Sequence, residues 1–233
     1  MLPLKDDIPS QGFPYVTFGL IIINSLVFIF QVSLGRDVRG FVGAFGATPF
    51  EISHHVDVPP LIYFPVSLTL LTSMFLHGGV LHIGGNMLYL WIFGDNVEDA
   101  MGSLRFLIFY LLCGLIAGMS HIATNPNSMT PMIGASGAIS GVLGAYLLLY
   151  PRARVLTLIV FFYFIRIIKL PAIFLLSFWI LFQILSGTLS LGSRAGQGGV
   201  AWFAHIGGFF VGAFLVAIFK KKRVRLGLFH WRI

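Results

Sequence analysis

Residues 16–32 read VTFGLIIINSLVFIFQV, an uncharged apolar run long enough to cross the hydrocarbon of a bilayer. Further runs of this kind follow, and their repetition constrains the fold more than any other feature. Hydrocarbon offers no water to backbone N–H and C=O groups, so each run must satisfy its own hydrogen bonds as a helix. Composition agrees, with 57% apolar and 10% charged residues, where soluble domains carry about 25% charged. Mean hydropathy is +0.92. At roughly 20 residues per span, the 233 residues hold about five to seven spans and leave little for a soluble domain. The single cysteine, Cys113, excludes an internal disulfide framework and a cysteine-rich zinc site. The net charge of +7 comes from cations scattered between apolar runs, which reads as topology and not as nucleic-acid binding.

Span one is residues 16–32. It is too long for the apolar core of a signal peptide, and no small-residue cleavage site follows it. Residues 33–66 form a long, mixed connection whose phenylalanines place it in the interface. Span two covers about residues 81–93, with room for an earlier start near Thr72, and ends in the polar cluster GDNVEDAMG. Span three is 106–123, span four 136–150, span five 171–189 and span six 201–219. Span four is only about 22 Å long at 1.5 Å per residue, short of the ~30 Å hydrocarbon core. It must therefore start or end below a membrane surface. Residues 155–165 are too few to span and are flanked by Arg152, Arg154, Arg166 and Lys169, so they read as interfacial or re-entrant.

With six spans both termini share a side. That side carries Lys5, Arg105, Arg152, Arg154, Arg166, Lys169, Lys220, Lys221, Lys222, Arg223, Arg225 and Arg232, against Arg36, Arg39 and Arg194 opposite. The asymmetry predicts cytoplasmic termini in a plasma (cell inner) membrane. The expected organisation is a short cytoplasmic N-terminus over 1–14, a helical membrane domain over 15–219 and a basic cytoplasmic tail over 220–233.

Polar residues inside spans are expensive and mark function. Ser136 lies in GASG at the loop-to-helix junction of span four, where unpaired backbone N–H groups could receive an oxyanion. Alone, Gly137-x-x-x-Gly141 would be a helix-packing face. His205 lies in AWFAHIGGFFVG, beside the repeat of Ala204, Gly208 and Gly212 that brings a partner helix close. Histidine is the usual base for a serine. His82 and Asn86 are four residues apart on one helix face and could donate to an oxyanion, or act as interhelical glue. A zinc site built on His77, His82 and His205 lacks a carboxylate at ligand spacing. Glu98 and Asp99 near Arg105 read as a solvated or structural charge cluster. Cys113 and Met119 read as packing residues, and His121, His54 and His55 as outer-interface residues needing no ligand.

GASG with Ser136, AHxxG with His205 and HxxxN with His82 and Asn86 together resemble the rhomboid family of intramembrane serine proteases, over nearly the whole chain. The resemblance implies an all-α, polytopic six-transmembrane-helix bundle with a Ser-His dyad and no third acid. Ser136 would be the nucleophile and His205 the general base. His82, Asn86 and the Ser136 N–H would form the oxyanion site, and Gly134 would leave room for it. No metal or cofactor is implied, and the partners would be single-span or multi-span membrane proteins in the bilayer. Two features depart from the family pattern: no Trp-Arg pair precedes residues 72–82, and Ser140 stands where an aromatic ring would underlie the histidine. An inactive rhomboid-like binder or chaperone is the rival reading, but such relatives typically lose the nucleophile or base. A small transporter would need paired broken helices or buried charges.

Overall fold

The computed structural model describes residues 1–161, 164–191 and 200–227. Arg194 and Arg232, the 192–199 part of the connection into span six and the tail beyond 227 lie outside them. In chain order the elements are β1 (Leu2–Lys5), α1 (Tyr15–Ser33), α2 (Val38–Phe45), α3 (Pro49–His54), α4 (Thr69–Thr72), α5 (Val80–Met101), α6 (Ser103–Thr124) and α7 (Ser136–Leu149). Then come β2 (Arg154–Phe161), β3 (Phe164–Pro171), α8 (Ala172–Leu191) and α9 (Trp202–Phe219).

Helices α1, α6, α8 and α9 are long and apolar enough to cross a membrane. A fifth candidate is a bent pair, Val66–Phe75 with Val80–Met101, at 80° to each other. Helix α7, at 14 residues, is the short one that span four anticipates. The outward faces are apolar: Phe174, Phe178, Leu181 and Leu185 on α8 and Phe210, Phe214 and Ile218 on α9 are exposed at helical spacing. Such faces need lipid as their solvent, and the protein is a multi-pass membrane protein.

Helix α7 is the axis of the bundle, buried from Gly137 to Tyr146. It lies against α9 at backbone contact. A Cβ on Gly208 would strike the Gly137 carbonyl, one on Gly212 the Gly141 carbonyl, and one on Gly144 the Phe209 carbonyl. Cys113 of α6 closes the other side of Gly141, as its packing assignment anticipates. These close approaches fix the spacing between the start of α7 and the start of α9, which is where the site sits.

Two expectations are corrected. The chain is not all-α: of residues 155–165, those at 155–161 and 164–165 belong to a three-stranded antiparallel sheet of order β1-β2-β3, not to a helical segment. The β2–β3 register runs from Arg154 opposite Pro171 to Phe161 opposite Phe164. RVLTLIVF and FIRIIKLP are dense in branched residues, which favour the pleated conformation.

The second correction is to the length of this helix: α5 does not stop near Phe93 but continues to Met101, inside the polar cluster where span two was expected to end. The cluster stays helical because the N-terminal segment satisfies it. Glu98 is buried and accepts from the N–H groups of Val16 and Thr17, at 3.0 and 2.8 Å, and from the Thr17 and Ser103 hydroxyls. A carboxylate there caps α1. Ser10 donates to Asp95, the Gln11 N–H to Asp99, and Asn96 to Asp6. Asp6 also accepts the Tyr146 hydroxyl of α7, which ties the N-terminal segment to the central helix. The charge cluster is thus structural, while Arg105 is exposed.

Burial pushes the Asp6 carboxyl up to about 6, with the charges of Asp95 and Asp7 adding to the shift against the pull of the Tyr146 hydroxyl. An unfolded aspartate ionises near ~3.9. Between these values the folded state holds more protons, so this contact loses stability as pH rises from about 4 to about 6. Asp6→Asn keeps the acceptor oxygen and should remove that loss. Amide exchange of residues 1–8 should then slow at pH 7 relative to the parent, and the two proteins should converge near pH 4. Equal exchange at pH 7 would count against the assignment.

Candidate active site

Ser136 opens α7 two residues after Gly134, whose φ of +122° suits glycine alone. A Cβ at Gly134 would stand 2.9 Å from His82 Nε2 and 3.7 Å from Ser136 Oγ. The absence of a side chain is therefore what lets His82 approach the serine. The first N–H groups of α7, including that of Ser136, have no intrahelical acceptor.

His205, in the first turn of α9, brings its Nε2 to 2.8 Å from Ser136 Oγ. Its Nδ1 lies 2.8 Å from the side-chain carbonyl Oε1 of Gln183, on α8. The indole of Trp179, one turn earlier on α8, packs at 5.9 Å between ring centroids and 37° to the imidazole. Ser140 donates to the Ser136 carbonyl at 2.6 Å. The ring is thus flanked from α8 where the family pattern would have supported it from α7.

On α5, His82 Nδ1 accepts the Gly78 N–H at 3.2 Å, which leaves its ring proton on Nε2, the atom near Gly134. Asn86 is buried, and its Nδ2 is an unpaired donor. All four polar residues, Ser136, His205, His82 and Asn86, line one cavity of about 750 Å³. Its wall continues through Ser128, Thr130 and Val200, in the loops before α7 and α9. His121, read from sequence as an interface residue, also lines it.

Sequence reasoning missed Gln183 and Trp179. The available signal was an amide in the otherwise apolar run FWILFQILSG, at helical spacing from an indole.

Residues 66–222 match the Rhomboid domain. The chain belongs to the rhomboid family. It is 34% identical over 139 residues to "Rhomboid protease GluP" of Bacillus subtilis, covering 59% of this chain and 25% of that protein. It is 31% identical over 227 residues to "RHOMBOID-like protein 12, mitochondrial" of Arabidopsis thaliana, covering 90% and 60%. To "Rhomboid protein 1, mitochondrial" of Saccharomyces cerevisiae it is 30% identical over 172 residues, covering 70% and 46%. The chain thus spans between a quarter and three fifths of the length of these rhomboid relatives.

Proposed function

We propose that this rhomboid is an intramembrane serine endopeptidase that hydrolyses peptide bonds in or next to transmembrane segments of membrane proteins. The observation that carries the reading is the 2.8 Å contact between Ser136 Oγ and His205 Nε2 inside a polar cavity. That distance is within reach for general-base catalysis. His205 takes the hydroxyl proton as Oγ attacks the scissile carbonyl, and the carbonyl oxygen becomes the oxyanion. His205 then gives the proton to the leaving amine. Water attacks the acyl-enzyme with His205 again as base, releasing the carboxylate product and restoring Ser136.

The oxyanion receives the Ser136 N–H, the His82 Nε2–H and the Asn86 amide, with Gly134 leaving the space. The unpaired, buried Nδ2 of Asn86 supports this role, because an unmet donor costs about 1–3 kcal/mol in the free protein. Removing one donor of an oxyanion hole typically costs about 10²–10³ in rate. His82→Ala and Asn86→Ala should each slow cleavage by that order, with Ser136 still reactive towards a small phosphonylating probe. Unchanged cleavage rates in both variants would reduce the pair to helix–helix glue.

The membrane unit is residues 15–219, six spans counting the bent α5 pair and short α7. The excess of Lys and Arg on one side supports cytoplasmic termini in a plasma (cell inner) membrane. A substrate helix must unwind before Ser136 can reach a carbonyl, so segments weakened by glycine or proline should be preferred. The test is a panel of single-span proteins co-reconstituted with the purified protein in vesicles. A cut in or beside the span, absent with Ser136→Ala, is expected; no cut in any substrate would count against the proposal.

A further inference from the structure

Gln183 is 5% exposed on a helix whose outward neighbours Leu181, Phe182 and Leu185 face lipid. A buried amide of this kind must be hydrogen-bonded to be tolerated. Its carbonyl Oε1 faces the imidazole nitrogen that does not face the serine. We infer that Gln183 is the positioning residue of the site, holding His205 in the tautomer that leaves Nε2 free to take the proton of Ser136. The inference rests on the protease reading for its effect on rate, but not for its effect on the imidazole.

A carbonyl oxygen has no proton to give, so the contact is made by Nδ1–H. A neutral imidazole carries one N–H, and with the proton on Nδ1 the Nε2 lone pair is directed to Ser136 Oγ. This division of labour is the one a carboxylate performs in a Ser-His-Asp triad. Within a membrane span an ionised carboxylate is expensive. A neutral amide sets the same tautomer without that penalty, and its dipole still opposes the positive charge that His205 acquires when it takes the proton. Trp179, one turn earlier on α8, fixes the plane of the ring, while Gln183 fixes its rotation about the ring normal. Together they supply from α8 the orientation that Ser140 cannot supply from α7. Among the described residues, the other titratable side chains lining the cavity are His82 and Tyr89 of α5 and His121 of α6, and none of them offers a carbonyl or carboxylate oxygen.

The test compares the parent protein with Gln183→Leu and Gln183→Glu, each checked for thermal unfolding in detergent. Nitrogen-15 spectra of labelled histidine, assigned by the resonance lost in His205→Asn, report the tautomer whether or not the protein is active. The parent should carry the proton on Nδ1. Gln183→Leu should lose that preference and lower kcat on the order of 10–100-fold, a fraction of what general-base catalysis contributes, with KM within about twofold. Gln183→Glu should restore the tautomer and recover at least about tenfold of the lost rate. It should also move the acid limb of the cleavage profile upward by about one pH unit or more, because a carboxylate beside the ring favours its protonated form. An Nε2–H resonance in the parent, or an unchanged tautomer and kcat in Gln183→Leu, would overturn the inference even if the protein cleaves. An Nδ1–H resonance in a parent that cleaves nothing would instead overturn the protease reading and leave the positioning bond standing.

Discussion

Ser136→Ala and His205→Ala should each lower cleavage by at least about 10⁴-fold, while the double variant is scarcely worse than either single one. The reason is that the two groups act as one unit: without the base the hydroxyl is a poor nucleophile, and without the nucleophile the base has no proton to take. The effect should be confined to chemistry. Ser136 and His205 meet at 2.8 Å across the α7–α9 seam, but the seam itself is made by glycines elsewhere along both helices. Thermal unfolding in detergent should therefore shift little in Ser136→Ala. Additive losses in a double-mutant comparison of cleavage rates would mean that the two residues do not share a step.

The largest expected effect on folding lies along the same seam. Any Cβ at Gly212 falls on the Gly141 backbone, and any at Gly208 on the Gly137 carbonyl. Overpacking against side chains typically costs about 1–3 kcal/mol. Backbone cannot change rotamer, so here α9 must move away as a body. Losses above about 4 kcal/mol, at the exceptional end of single substitutions, are expected for Gly212→Val. The displacement would also separate His205 from Ser136, so any protein that does fold should be inactive. Gly19→Ala is the control, since a Cβ there meets nothing within 4 Å. Measured in detergent, Gly19→Ala should unfold like the parent. A Gly212→Val protein of parental stability would mean that α7 and α9 do not approach this closely.

The serine, the histidine and the pair on α5 could be read from the sequence because each is a polar residue embedded in glycine or in an apolar run, where chance and packing rarely leave one. Gln183 carries the same kind of signal, and so do Asn24 and Gln31 of span one. Their structures show why type alone does not assign a role. Asn24 bonds the Leu20 carbonyl of its own helix at 2.7 Å. Gln31 makes two backbone contacts to His77, at 3.3 and 3.0 Å, and so holds the segment before α5. Only Gln183 reaches a titratable side chain. What separates the three is which helix lies opposite, and one sequence does not contain that information.

Strands β2 and β3 are hard to read from the sequence for a different reason. A short apolar run flanked by basic residues fits an interfacial segment as well as it fits a strand, and hydrophobicity has no period there to decide between them. The branched-residue content was the better guide. The continuation of α5 past Phe93 is not legible locally, because the partners that hold it come from about 80 to 90 positions away, in the segment before α1 and its first turn.

Ser136 should react as a nucleophile only because its surroundings activate it. Purified protein in detergent, treated with a fluorophosphonate probe and digested for mass spectrometry, should carry a single adduct on Ser136. Labelling should disappear after heat denaturation and in His205→Ala, since an unassisted serine hydroxyl does not react. An intact, folded protein with no adduct, or with an adduct that survives denaturation or the loss of His205, would contradict it.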